Sequence, residues 1–245
     1  MNQPRFYCRE VLAPGARIDL PEPVARHAVR VLRLPPGAAV VLFDGRAGEY
    51  EARIERIEKD RVVAALGAWR DVERESGLVV TLVQAVQSGE KMDYTVQKAV
   101  ELGVSHIVPV DSRRSVTRLA GERAARRVAH WQGVAAAACE QCGRNQVPQV
   151  APVEKLENWL ARPSSGALRL MLAPDAEQSL VDQPSAKSVE LLIGAEGGLD
   201  PQEIVAARQV GFQRVRMGPR TLRTETAGLA ALAVMQALWG DFRGG

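Results

Sequence analysis

The chain has 245 residues, 46% of them hydrophobic and 25% charged, with a formal net charge of +3; this is the composition of a folded protein of one large domain or two and excludes wholesale disorder. Met1 to Glu10 carries Arg5, Arg9 and Glu10 around no apolar core, and the longest nearly apolar run, Ala227 to Trp239, falls short of the roughly 18 residues of a bilayer span, so neither a usual secretory signal nor a membrane segment is expected. Cys8, Cys139 and Cys142 are an odd set that fits a reducing cytoplasm better than a disulfide framework.

In chain order, the first 70 or so residues show short, strand-like patterns. Ala39 to Phe43 leads into a turn at Asp44-Gly45. In the following strand, Glu49 to Ile54, Tyr50, Ala52 and Ile54 alternate with Glu49, Glu51 and Arg53, which predicts a hairpin with one wet face. Several such strands suggest a small barrel, and Asp71 to Gly77 is the best linker, placing the domains at 1–72 and 73–245. After it strands and helices alternate: strand Val79–Val86, helix Lys91–Leu102, strand His106–Val110, helix Glu122–Cys142, strands Leu168–Ala173 and Val189–Ile193, helix Pro201–Val210, strand Arg214–Met217 and helix Thr224–Leu238. Nearly all-apolar strands separated by helices predict a parallel sheet covered on both faces. Asp200-Pro201-Gln202-Glu203 has the cap, proline and glutamate of a helix start.

Chemistry concentrates in two strand-loop-helix segments. One runs through Ile193-Gly194-Ala195-Glu196-Gly197-Gly198, the other through Met217-Gly218-Pro219-Arg220-Thr221-Leu222-Arg223-Thr224-Glu225-Thr226. Glycines at a strand's carboxyl end let backbone approach a ligand, and the helix start that follows offers unpaired N–H groups, so two such loops side by side would make a cofactor cleft. Simple turn geometry is the alternative. There is no phosphate-loop or dinucleotide fingerprint, no G-x-S-x-G, and His27, His106 and His130 stand isolated without metal spacing. Cys139-Glu140-Gln141-Cys142 matches C-x-x-C, but it sits near the carboxyl end of a helical run and lacks two further zinc ligands, so a structural role is favoured over redox or zinc chemistry. Arg113, Arg114, Arg118, Arg123, Arg126 and Arg127 face only Asp111 and Glu122 between residues 111 and 127, a basic patch for nucleic acid or else a solvated helix face in a chain with five Lys among its 32 basic residues.

The two loops, together with Gln97-Lys98 and Glu101-Leu102-Gly103-Val104, Glu140-Gln141-Cys142-Gly143-Arg144-Asn145, and His27 with Val31-Leu32-Arg33, resemble the RsmE family of 16S rRNA uracil-N3 methyltransferases within the SPOUT superfamily. The segments occur in family order through most of the chain. The resemblance implies an α/β fold, a SPOUT-like parallel sheet with a C-terminal trefoil knot, preceded by a small PUA-like β-barrel that helps hold RNA. It also implies S-adenosylmethionine as cofactor, 16S rRNA of the small ribosomal subunit as partner, an obligate homodimer and chemistry that needs no metal. The greasy helix from Ala227 to Trp239 fits a dimer face or burial within one subunit equally well.

Carried over position by position, the resemblance implies that Leu172, Gly194, Glu196, Gly197, Gly198, Met217, Gly218, Leu222, Arg223 and Thr224 line the cofactor pocket, with Met217 and Leu222 covering the adenine. Ala195 stands where the family usually has Pro, which would loosen the loop modestly. Arg114 matches a family arginine and is expected to stabilise charge on a uracil oxygen or hold a phosphate. Glu225, in the first turn of the last helix, is expected either to cap that helix or to act in catalysis. Arg30, Arg33, Arg113, Arg118 and Arg144 are expected RNA contacts. A non-catalytic RNA-binding protein is the competing class, and cofactor binding separates the two.

Overall fold

The computed structural model describes residues 3–59, 61–163 and 165–243. They form two compact units: the chain up to Glu75 with Ala136–Val147, and Ser76–Ala135 with the chain from Pro148 onward.

The first unit is built from strands β1 (Arg5–Tyr7) and β2 (Arg17–Asp19), a short helix α1 (Glu22–Arg26) running into a π-helical turn at His27–Val31, and strands β3 (Ala39–Phe43), β4 (Glu49–Glu58) and β5 (Arg61–Arg70). They make one five-stranded sheet in the order β1-β3-β4-β5-β2. The Asp44-Gly45 turn forms as its sequence predicts, with Gly45 at φ +82° and the Asp44 carboxylate accepting the Arg46 N–H at 3.2 Å. Tyr50, Ala52, Ile54, Val62, Ala64 and Leu66 bury one face around Phe6 and Leu42. Glu49, assigned from sequence to the wet face, is only 5% exposed; Arg5 reaches it as an ion pair, so burial costs less than an unpaired carboxylate would.

Cys139-Glu140-Gln141-Cys142 belongs to this unit. Cys139 is fully buried, and desolvation pushes its thiol up to about 12. A thiol held neutral and sealed from solvent is neither a nucleophile nor a ready metal ligand, which favours the structural reading for Cys139.

The second unit alternates strands and helices along most of its length. In order it contains β6 (Val79–Ala85), α2 (Lys91–Glu101), β7 (His106–Asp111), α3 (Gly121–Cys142, its last residues counted with the first unit), β8 (Gln149–Val150), β9 (Glu154–Lys155), α4 (Leu156–Leu160), β10 (Leu168–Leu172), β11 (Gln178–Ser179), β12 (Ser188–Ile193), α5 (Pro201–Gln209), β13 (Gln213–Arg216) and α6 (Thr224–Trp239). All its strand pairs are parallel, in the order β11-β13-β10-β12-β6-β7-β8 with β9 beside β7. Val83 and Ala85 of β6 face a core that contains Leu156, Trp159 and Leu160 of α4 and Ala207 of α5. The alternate residues Leu82 and Gln84 face α6, where a side chain at Gly228 would lie 3.4–3.5 Å from both. The sheet is therefore covered on both faces, which is why its strands read as continuous apolar runs. The α5 start is the capping box its sequence predicts: the Gln202 N–H donates to the Asp200 carboxylate at 3.0 Å and the Asp200 N–H to Glu203 at 2.8 Å.

Candidate active site

Strands β10, β12 and β13 end side by side, and their carboxyl-terminal loops enclose a cavity of about 540 Å³. Leu172, Gly194, Glu196, Gly198, Met217, Leu222, Arg223, Thr224 and Glu225 all line it. The two sequence motifs, with 18 residues between them, are thus brought together because β10 lies between β12 and β13. Crevices beyond the carboxyl ends of parallel strands are where such sheets hold ligands.

The glycines act in different ways. A side chain at Gly194 would stand 2.9 Å from the Gly198 carbonyl carbon and the Leu199 nitrogen, so its absence lets the loop fold onto itself. Gly198 and Gly218 sit at φ +71° and +66°, where glycine is favoured, but Gly218, expected in the pocket, is not among the residues that line the cavity. Gly197 does not line the cavity: its open side faces Arg114 side-chain carbons at 3.5 and 3.6 Å, and its carbonyl accepts from Arg114 Nη1 at 2.9 Å. Arg114 is exposed and grips the outer side of the loop.

Charge in the wall includes groups that no sequence motif marks. Lys91, the first residue of α2, lines the cavity with Nζ 3.5 Å from Glu196 and 3.8 Å from Glu225. Partial burial pushes the Glu196 carboxyl upward, but the backbone N–H groups of Glu196 and Ser88, the Lys91 cation and the Ser88 hydroxyl outweigh it and hold it below the usual carboxylate range. Arg214 also lines the wall and pairs with Asp175 at 2.5 Å. Two buried polar atoms here have no protein partner, Glu225 Oε2 and Arg214 Nε. Buried polar groups are rarely left unpaired, and one unpaired acceptor plus one unpaired donor on residues that line the cavity suit a ligand carrying both kinds of group. Leu172, Ile193, Met217 and Leu222 supply apolar wall for a flat base. A zwitterionic nucleoside such as S-adenosylmethionine therefore fits the residues present.

Glu225 is the acidic residue in the first turn of α6, where the helix dipole favours a carboxylate, and one of its oxygens is the orphan just described.

The expected RNA contacts divide. Arg30 lies in the π-helical turn and Arg33 just beyond it at φ +52°, both exposed. Arg113 is exposed and pairs with Gln202, while its backbone N–H donates to Glu203 at 2.8 Å. Arg118 binds Asp111 and the carbonyls of Ser112 and Arg113, at 3.0 and 2.8 Å, which ties its own loop together. Arg144 is a correction: it is 5% exposed, and its Nε donates to both Glu75 oxygens at 2.9 and 3.0 Å. Its cation is spent inside the first unit. Among the described residues no group of three or more His, Cys, Asp or Glu could hold a metal, and no helix is long and apolar enough to cross a membrane.

Two family models match the chain, an RNA methyltransferase domain over residues 74–236 and an RNA methyltransferase PUA domain over residues 20–66. A ribosomal RNA small subunit methyltransferase E from Neisseria gonorrhoeae, solved bound to S-adenosylmethionine, superposes with a TM-score of 0.93 at 45% identity, covering 98% of this chain and 100% of that one. A methyltransferase structure from Legionella pneumophila with bound S-adenosylmethionine gives a TM-score of 0.95 at 36% identity, over 99% and 100% of the two chains. The ribosomal RNA small subunit methyltransferase E of Buchnera aphidicola is 30% identical over 97% of both chains. Fold and cavity together define a two-domain RNA methyltransferase. The chain belongs to the ribosomal RNA small subunit methyltransferase E family.

Proposed function

We propose that this protein methylates N3 of a uridine in 16S rRNA of the small ribosomal subunit, with S-adenosylmethionine as methyl donor. The observation that carries the reading is the cavity between the two glycine loops, with an unpartnered Glu225 oxygen in its wall. S-adenosylmethionine supplies an electrophilic methyl group. Leu172, Met217 and Leu222 would cover its base, and Gly194 and Gly198 would allow the backbone close to it, with Glu196, Arg223 and Thr224 completing the pocket and Gly218 contributing through the turn that follows Met217. Gly197 would contribute through the loop and its hold on Arg114.

A uracil N3 carries a proton, so the site must remove it and tolerate charge on the ring oxygens. Glu225 Oε2, an acceptor with nothing to accept from, is suited to take that proton. Arg114, exposed at the edge of the loop, is suited to face the developing oxyanion, and its planar fork would add directional donors. Arg30, Arg33 and Arg113 would meet phosphates, with the PUA-like domain holding RNA, and Arg118 would shape the loop that presents Arg113 and Arg114. The reading includes the trefoil knot, a cytoplasmic location and a homodimer. For the dimer, support comes from the half-buried row Ala230, Ala233, Val234, Leu238 and Trp239 along α6, apolar surface that a second subunit would cover.

The test is calorimetric titration with S-adenosylmethionine, followed by mapping of the methylated nucleotide on small subunits. One site per chain and one new N3-methyluridine are expected. A non-catalytic RNA binder would take up no cofactor.

A further inference from the structure

Behind the cavity wall lies a chain of buried polar side chains of which the motifs mark only Thr224. Thr224 Oγ1 lies 2.6 Å from the Gly194 carbonyl. Gln84 Nε2 approaches the same hydroxyl at 3.0 Å and Gln87 Nε2 at 3.4 Å. Thr95 Oγ1 lies 2.8 Å from Gln87 Oε1. Gln84 and Thr95 are fully buried, Gln87 is 1% exposed and Thr224 7%.

The direction of every bond follows from the first. A backbone carbonyl can only accept, so the single Thr224 hydroxyl proton must go to Gly194. The Thr224 oxygen is then left with accepting capacity alone, which dictates that both glutamines turn their NH₂ groups toward it. That orientation points Gln87 Oε1 at Thr95, whose hydroxyl must donate. Gln84 gives its other N–H to the Ala85 carbonyl at 3.2 Å, and its own Oε1 is buried without a partner. The amide is thus held in an orientation that leaves its oxygen unsatisfied, as expected where Thr224 and Ala85 fix it.

We propose that Gln84, Gln87 and Thr95 are positioning residues for the cofactor cavity: through Thr224 they lock the Gly194 carbonyl, and with it the register of the two glycine loops. The relay takes one member from β6, one from the connection after it, one from α2 and one from the first residue of α6, and it ends on the loop after β12. The loop it ends on is already folded tightly, with the Gly198 N–H on the Ala195 carbonyl at 2.8 Å. Fixing one end of such a turn fixes the rest. Glu196 and Glu225 follow Gly194 and Thr224 within two residues, so the same lock sets where both carboxylates stand relative to Lys91. Ala195 makes the device more useful here, because without a ring at that position the loop depends more on hydrogen bonds for preorganisation. The inference rests on the proposed cofactor site.

The test compares T95V, T95S, Q87M and the double variant T95V/Q87M with the wild-type protein, reading S-adenosylmethionine affinity by calorimetry and folding by thermal midpoint. Val keeps the shape of Thr95 and removes its donor; Ser keeps the donor. Affinity should fall about tenfold in T95V and in Q87M, roughly the worth of one buried hydrogen bond. T95S should bind close to wild type, and the double variant should be no weaker than the weaker single, since both break one chain. Wild-type affinity in T95V and Q87M, whatever happens to their midpoints, overturns the relay, as does equal loss in T95S or simple addition in the double variant. Wild-type protein that binds no S-adenosylmethionine overturns the cavity assignment itself, a distinct result.

Discussion

Arg114 and Gly197 hold each other: the guanidinium donates to the Gly197 carbonyl at 2.9 Å, and the side of Gly197 that lacks a side chain is filled by Arg114 carbons at 3.5 and 3.6 Å. A glycine in a cofactor motif thus serves the arginine beside the motif. Valine at this position would push Arg114 aside while leaving the cavity wall in place. Gly197→Val should therefore cost turnover as Arg114→Ala does, roughly 100-fold for the loss of one oxyanion donor, with S-adenosylmethionine affinity near that of the wild type. Single-turnover methylation of small subunits beside calorimetry checks the split. Loss of cofactor binding in Gly197→Val would return Gly197 to the cavity.

Gly194 is the opposite case. Even the single methyl of Gly194→Ala would sit 2.9 Å from two backbone atoms of the same loop, and backbone has no side-chain end to swing away. The loop must open, at a cost of about 1–3 kcal/mol for overpacking. The expected result is a tenfold or greater loss of cofactor affinity, with a lowered thermal midpoint that added S-adenosylmethionine restores poorly.

Glu225→Gln tests the proton acceptor. The substitution keeps size and removes basicity, so kcat should fall roughly 100-fold or more while cofactor affinity changes little. Lys91→Met should disturb both carboxylates that flank it, at 3.5 and 3.8 Å, and affect binding as well as rate. An unchanged kcat in Glu225→Gln would leave N3 deprotonation to another group.

The contrast between these residues shows what a sequence carries. Strands and helices longer than about a turn announce themselves: the pattern 91–102 became α2 at Lys91–Glu101, and the Asp200 cap formed as written. Five-residue pieces such as α4 at Leu156–Leu160 are too short for helical period to register. Glycine loops were legible because glycine is required by geometry. Lys91, Arg214 and the Gln84-Gln87-Thr95 relay were not, because the feature that gives each its role is a partner brought by the fold from far along the chain. Glu49 and Arg144 misled for the same reason: an ion pair between residues 44 or 69 apart leaves no local pattern.

The first unit offers a pH test. Glu140 accepts the Tyr7 N–H at 2.9 Å, and burial, chiefly, raises its carboxyl above the ordinary range, against the opposing pull of that N–H, His27 and Arg5. A carboxyl whose folded value lies above its unfolded one favours the protonated native state, so it detracts from stability as pH rises from the unfolded value through the folded one. Glu140→Gln keeps an oxygen for Tyr7 and carries no charge. Its thermal midpoint should exceed the wild type's at pH 8, by about 2–4 °C for each kcal/mol recovered, and the advantage should shrink as pH falls below the ordinary carboxylate range. A constant advantage at all pH values would assign the effect to packing.

RNA binding should separate the arginines that share a sign but not a setting. Arg30 and Arg33 are exposed in and just after the π-helical turn, whereas the Arg144 guanidinium is bound by Glu75 and almost wholly buried. Each phosphate contact contributes roughly 0.7 to 0.9 to the log-log dependence of affinity on salt. Replacing Arg30 and Arg33 together by Ala should lower that slope by about 1.5 and leave the thermal midpoint nearly unchanged, since neither is part of the buried core. Arg144→Ala should do the reverse. It strands the Glu75 carboxylate, 18% exposed, and removing one partner of a buried pair costs about 3–5 kcal/mol, so the midpoint should drop while the salt slope of the folded fraction stays the same. A reduced slope in Arg144→Ala at full stability would mean that this guanidinium leaves Glu75 for a phosphate when RNA arrives.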